Sequence, residues 1–265
     1  MTLSGEGKVY LVGAGPGDPE LLTVKAYRLL QRADLVLHDD LNPPEVLAVA
    51  GPQAVVENVG KRCGQKGVPQ EEINRRMIEA ARCGFEVVRL KGGDPGIFGR
   101  LAEEIEALEA AGVQFEVVPG VTAGTAAAAS LGVSLTDRRT ASHVIIVTGH
   151  RAASSEKRAK TNWKALAQHD ATLLIYMPGS DFANLRDELL AAGLEPETPA
   201  VIVSRAATPA QQERATTLDN LDRLPPMESP AILLIGRCVG SARKRLSAEC
   251  MSLALAEAGL SVART

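Results

Sequence analysis

The residues best suited to chemistry stand in the stretch Arg89-Leu90-Lys91-Gly92-Gly93-Asp94-Pro95, where an apolar run delivers a carboxylate and two glycines into a turn. Adjacent glycines let the backbone take positive φ and come close to a bound molecule, and Asp94 is fixed ahead of Pro95. Two further loops of this kind, Gly13-Ala14-Gly15-Pro16-Gly17-Asp18-Pro19 and Pro119-Gly120-Val121-Thr122-Ala123-Gly124, also follow apolar runs. A mostly parallel sheet would bring all three to one rim, where open α/β sheets hold their ligands. Asp39 leaves a fourth run at its carboxyl end.

The elements that must position these groups follow from periodicity. Strands are expected at 9–12, 34–39, 54–59, 85–90 and 115–118, and in a second set at 144–147, 172–176, 200–203 and 231–235. The first helix is expected to start at Asp18, as N-cap, with Pro19 in its first turn. Others are expected at 43–50, at 69–83 with Glu71 and Glu72 in the first turn, at 98–111 closed by Gly112, at 125–131, around Trp163 and at 181–192. The small residues of 125–131 permit close approach of backbone or ligand. Residues 132–142 are polar enough to connect two domains, so we expect an α/β domain at 8–135, a second at 143–240 and a tail at 241–265.

Composition narrows the function classes. The 265 residues, 45% apolar, suffice for a sizeable core. Net charge is −3, which provides no global basic field for nucleic acid or an anionic membrane, so an anionic substrate needs a local cluster of cations. Cys63, Cys83, Cys238 and Cys250 are widely spaced and no histidine completes a zinc pattern, so reduced thiols and no metal are expected. The N-terminal residues lack a signal-peptide core and no apolar run reaches the roughly 18 residues of a membrane span, which points to the cytoplasm.

A dinucleotide-binding oxidoreductase is the nearest rival in fold, since glycines follow the first strand and Asp39 stands where a ribose could be held. Its difficulty is physical: the spacing is G-x-G-x-G, and Asp18 and Glu20 place negative charge where a pyrophosphate needs free amides. The combined motifs instead resemble those of the tetrapyrrole methylases. They are Val12 through Thr23, Val59-Gly60-Lys61-Arg62, Leu90 through Pro95 with Ile97-Phe98-Gly99-Arg100, and Val118-Pro119-Gly120-Val121-Thr122-Ala123.

The resemblance covers about residues 8–238. It implies two α/β domains with the active site in the cleft between them, a homodimer, and S-adenosyl-L-methionine as cofactor, released as S-adenosyl-L-homocysteine. Within the family the likeness is strongest to members that methylate uroporphyrinogen III at C2 and C7 to give precorrin-2, for siroheme, cobalamin or haem d1. A methylase of a later corrin precursor is the alternative. By the same resemblance Pro16, Gly92, Gly93, Asp94, Ile97, Thr122, Ala123, Met177 and Ala206 line the cofactor pocket. Arg100, Glu103 and Arg138 contact the tetrapyrrole, Asp39 accepts a proton and Lys61 donates one. A polycarboxylate substrate suits cations at fixed positions, for which Lys61, Arg62, Arg100, Arg138 and Arg139 are candidates. Three stretches depart from the family pattern: His38-Asp39-Asp40-Leu41 has an acid in place of a cation, Gly99-Arg100-Leu101 adds bulk in place of a glycine, and Thr136-Asp137-Arg138-Arg139 is altered.

Overall fold

Short runs of branched residues form the strands, and alternate side chains choose opposite faces. The computed structural model describes residues 7–60, 68–149, 161–167, 170–225, 227–242 and 244–246. Its contacts divide the chain into two units, Met1–Ala123 and Gly124–Thr265.

The first unit holds a five-stranded sheet built from β1 (Lys8–Gly13), β2 (Leu35–His38), β3 (Val55–Asn58), β4 (Glu86–Lys91) and β5 (Phe115–Val118), in the order β3-β2-β4-β1-β5. Every pairing is parallel, so all five carboxyl ends share one rim, as the three glycine loops require. One face packs Val12, Val36, Val88 and Leu90 against α1 (Val24–Arg32) and α2 (Pro44–Leu47). The other packs Leu11, Leu37 and Val87 against α3 (Gln70–Arg82) and α4 (Leu101–Ala110), through Ile73, Met77 and Leu108.

Two helix starts differ from expectation. Asp18 does cap a turn, accepting from the Glu20 amide at 2.8 Å, but that turn is a 3-10 helix of three residues, Pro19–Leu21. α1 begins afresh behind Thr23, whose side chain accepts from the Ala26 amide. α4 starts three residues later than expected, because Phe98 and Arg100 take left-handed φ of 55° and 57° and end the preceding turn outside helical space.

The second unit contains α5 (Ala123–Ser130) from Gly124 onward, α6 (Trp163–Leu166) and α7 (Phe182–Ala191). Its mixed sheet runs β6-β7-β10-β8-β9, from β6 (His143–Thr148), β7 (Ala171–Tyr176), β8 (Pro199–Ser204), β9 (Gln212–Thr217) and β10 (Ala231–Ile235). β6 and β7 are parallel, and the remaining pairs are antiparallel. β9 has no counterpart among the expected strands: Gln-Glu-Arg-Ala-Thr-Thr lacks an apolar run and forms as an edge strand on β8. The alanines of α5 serve packing. Ala127 and Ala128 join Leu174, Val201 and Leu234 in one core cluster, so α5 belongs with the second sheet by contact. Among the described residues no helix is long and apolar enough to cross a membrane.

Candidate active site

At the rim of the first sheet the backbones of the first two glycine loops are bonded to each other, and the third loop is tied to them through Asp94. Gly15 and Gly93 exchange both hydrogen bonds, at 3.2 and 2.7 Å, and the Ala14 amide donates to the Lys91 carbonyl. A Cβ on Gly120 would lie 2.3 Å from the Gly93 carbonyl oxygen and 2.8 Å from Gly13 Cα, so both positions must be glycine for the loops to touch. Asp94 is the tie: Oδ1 accepts from the Gly96 amide at 2.8 Å and Oδ2 from the Gly120 amide at 3.0 Å. Gly93 itself, at φ +70°, is open on its Cα side, with nothing nearer than 3.8 Å to an added Cβ. Pro16, Gly92, Ile97, Thr122 and Ala123 lie half-buried in the same loops. The expected cofactor residues of the first unit therefore stand in loops that meet at one rim, and the open Cα of Gly93 fits a ligand that needs close approach to peptide groups, while Gly92 is covered by Leu41, 3.2 Å from an added Cβ.

The dinucleotide alternative fares worse. Asp18 already takes the Glu20 amide, and a single 3-10 turn offers no long helix behind it for an anion.

Beneath this rim lies a charged cluster whose pairing the sequence does not announce. Arg89 and Lys91 occupy the same face of β4 as Val87, and both are buried at 2% and 3% exposure. Glu104, in the first turn of α4, is wholly buried, and its Oε1 accepts from Arg89 Nε at 3.0 Å, Lys91 Nζ at 2.9 Å and Gln70 Nε2 at 3.2 Å. Arg89 also donates from Nη2 to Asp39 Oδ1 at 2.5 Å. Burial, then the nearby Arg89, push the Lys91 ammonium below its ordinary range, while Glu104 pulls the other way. The legible signal was two cations at alternate positions near the end of β4, whose centre is apolar, with an acid on the helix that follows.

The Asp39 carbonyl is held too, by the backbone and side-chain amides of Asn42 at 3.2 Å each, with His38 Nδ1 3.0 Å away. Asp40, the acid that replaces a family cation, accepts from Asn58 Nδ2 at 2.5 Å and so joins the ends of β2 and β3. Arg100 and Glu103 meet each other in a two-point pair at 2.8 and 2.6 Å, which holds the Glu103 carboxyl below the usual carboxylate range. Leu101 packs inward against the α3 and α4 cluster rather than crowding the rim. Lys61 and Arg62 lie outside the described residues.

In the second unit Met177 follows β7 and Ala206 follows β8, two strands that both run opposite to β10. Their carboxyl ends therefore share one edge of that sheet. Met177, Arg205 and Ala207 have left-handed φ of 49°, 50° and 58°, and Met177 is 45% exposed. Such backbone at the ends of two strands that flank β10 marks a constrained site. Gly149, which the sequence reading did not single out, lies under this corner, where a Cβ would meet the Met177 carbonyl oxygen at 2.7 Å. Asp137 and Ala141 close a tight turn that presents Arg138 and Arg139. Asp137 binds the Arg139 guanidinium at 2.7 and 3.0 Å and its amide at 2.8 Å, which lowers the Asp137 carboxyl to about 2. Arg138 is exposed and has no ion pair among the described residues.

Among the described residues no three His, Cys, Asp or Glu side chains gather as a metal site.

Residues 8–222 match the family described as Tetrapyrrole (Corrin/Porphyrin) Methylases. The siroheme synthase 1 of Klebsiella pneumoniae is 44% identical over 236 residues, 88% of this chain and 49% of that protein. The siroheme synthase 2 of Halorhodospira halophila is 46% identical over 236 residues, 88% of this chain and 47% of that protein. The chain thus spans about half the length of these curated relatives. Among solved structures, the uroporphyrin-III C-methyl transferase of Thermus thermophilus, complexed with S-adenyl homocysteine, superposes with a TM-score of 0.75 at 40% identity, covering 88% of this chain and 99% of that one. A cobalt precorrin-4 methyltransferase reaches a TM-score of 0.76 at 33% identity, covering 88% and 95%.

Proposed function

The chain belongs to the tetrapyrrole methylase family, and from that premise we propose that it transfers methyl groups from S-adenosyl-L-methionine to C2 and C7 of uroporphyrinogen III, giving precorrin-2 and S-adenosyl-L-homocysteine. One observation carries the reading: three glycine loops, two bonded through their backbones and the third tied in by Asp94, meet at the open Cα of Gly93, on a chain 40% identical to a methyl transferase seen with the demethylated cofactor.

The cofactor supplies an electrophilic methyl group on a sulfonium, and the pyrrole carbon is already electron-rich. The protein's work is to align the two, exclude water and take up the proton released at carbon. Gly92, Gly93, Thr122 and Ala123 offer peptide groups to the cofactor, with Pro16, Ile97, Met177 and Ala206 as its apolar lining. Asp94 keeps the loops joined. Asp39 takes the proton on Oδ2, since Oδ1 is occupied by Arg89, and Lys61 is the proton donor. Arg138 and Arg100 receive substrate carboxylates, Arg100 by exchanging its bond to Glu103. We further read the protein as a cytoplasmic homodimer, the state its family likeness implies.

Anaerobic incubation of the purified chain with uroporphyrinogen III and methyl-labelled S-adenosyl-L-methionine, read by mass spectrometry, tests cofactor, substrate and stoichiometry together. A doubly methylated product is expected. Binding of the cofactor without transfer would move the substrate to a later corrin precursor, the reading favoured by the likeness to the cobalt precorrin-4 enzyme. Absence of cofactor binding would overturn the proposal.

A further inference from the structure

We infer that Arg89 is a positioning residue for methyl transfer: its guanidinium fixes the Asp39 carboxylate, while Glu104 and Lys91 fix the guanidinium from behind. The inference rests on the reading of Asp39 as proton acceptor given above.

The guanidinium is bonded in three directions. Nε donates to Glu104 Oε1 at 3.0 Å, Nη1 to the carbonyls of Leu37 and Leu90 at 3.3 Å each, and Nη2 to Asp39 Oδ1 at 2.5 Å. A planar fork held at all three nitrogens cannot turn without breaking a bond, and a lysine at this position could not reproduce the set. Glu104 is fixed in turn, because Lys91 Nζ and Gln70 Nε2 converge on the same oxygen that takes Arg89.

Such a cluster needs a reason beyond stability. Buried ion pairs gain little over well-packed apolar side chains of similar size, and Val87, Leu37 and Leu108 line the same face of the sheet. Glu104 even leaves Oε2 buried without a partner among the described residues. Of the four charged side chains, Arg89, Glu104 and Lys91 are 4% exposed or less, and Asp39 is exposed by 29%. Among the charged side chains of this network it is Asp39, just past the end of β2, that reaches the surface, and Lys91 immediately precedes the Gly92-Gly93 turn. A rigid interior that terminates in one half-exposed carboxylate is what a proton acceptor requires if it is to meet one substrate carbon rather than sweep a surface.

Two measurements test this. In protein labelled with nitrogen-15 arginine, the Arg89 Nη2 protons should give separate signals in the wild type, from hindered rotation about Cζ–Nη2, and merge in Asp39→Ala, while Nη1 stays bonded to the Leu37 and Leu90 carbonyls. An unchanged Arg89 pattern in that variant would mean that the contact does not hold the side chains. The second is a double-mutant cycle on kcat with cofactor affinity measured alongside. Arg89→Met alone should lower kcat by about 10- to 100-fold with cofactor affinity unchanged, less than the roughly 100- to 10,000-fold of an acid–base group itself, because Asp39 is loosened and not removed. In an Asp39→Asn background the same change should alter kcat by less than about twofold, because a residue acting through Asp39 has nothing left to position. Losses that multiply in the double variant would assign Arg89 a merely structural role. If Arg89→Met does not fold, Glu104→Gln with Asp39→Asn gives the same cycle while keeping side-chain shape. A wild type without methyl transfer would sink the functional reading and this role with it, whereas an active wild type with multiplying losses sinks the role alone.

Discussion

Asp94 places each carboxylate oxygen against a different backbone amide, Gly96 in its own turn and Gly120 in the third loop. Hydrogen bonds to a charged acceptor contribute about 1.5–3 kcal/mol each, enough to decide whether two loops stay joined. Asp94→Ala should therefore retain the fold by circular dichroism yet weaken S-adenosyl-L-methionine binding by about tenfold or more, read by calorimetry. Unchanged affinity would remove Asp94 from the site. The two arginines of the 137–141 turn differ in kind. Arg139 is engaged by Asp137, whereas Arg138 is unpaired among the described residues. Arg138→Ala should raise the tetrapyrrole KM by about three- to tenfold and leave cofactor affinity alone, while Arg139→Ala should change KM less, because its charge is already answered. Equal effects of the two would contradict that division. Both residues were visible as candidates in the sequence, but nothing there says which one Asp137 takes.

Among elements, the glycine loops depend on contact between backbones, so their tolerance to a methyl group is specific to position. Gly120→Ala forces a Cβ into the Gly93 carbonyl, and neither partner is a side chain that could move away. Overpacking of this kind costs about 1–3 kcal/mol, and we expect a lower Tm together with lost cofactor binding. Gly112→Ala, at φ +67° with nothing within 4 Å of the added atom, should show only the strain of the left-handed backbone and bind cofactor normally. Cofactor binding retained in both variants would show that the loop junction is not needed. In α3, Glu72 accepts from Arg75 and Arg76, side-chain bonds that lower its carboxyl from 4.5 to about 2. A depressed carboxyl stabilises the fold fully above pH 4.5, and that contribution is lost as pH falls from 4.5 toward about 2. Glu72→Gln should flatten this part of the stability curve, and high salt should do the same in the wild type, since the pairs are exposed. A denaturation midpoint with the same acid slope in both proteins would rule out the helix pairs as its source.

For the whole molecule, the proposed homodimer predicts a sedimentation mass twice that of the chain, constant on dilution through the working range of the assay. A single-chain mass that still supports full activity would remove the dimer from the proposal. The sequence by itself determined the elements and the loops, because alternation of branched residues, proline and glycine act over a few neighbours. β1, β2, β4 and β5, the turn at Gly92 and Gly93, the N-cap at Asp18 and the helix behind Asp181 were legible for that reason. The tertiary structure decided what depends on distant partners. α5 packs with the second sheet because Gly124 and its alanines let it lie close to β7, with Tyr176 Oη accepting from the Gly124 amide at 2.8 Å. β9 exists because β8 offers it an edge to bond, not because its residues favour a strand. Arg89 and Lys91 stand in the stretch that the sequence marks for chemistry, but nothing along the chain pairs them with Glu104, and only folding of α4 over β4 buries the three together behind Asp39. Local preference is written in neighbouring residues, whereas the pairing of charges is set by which elements come to face each other.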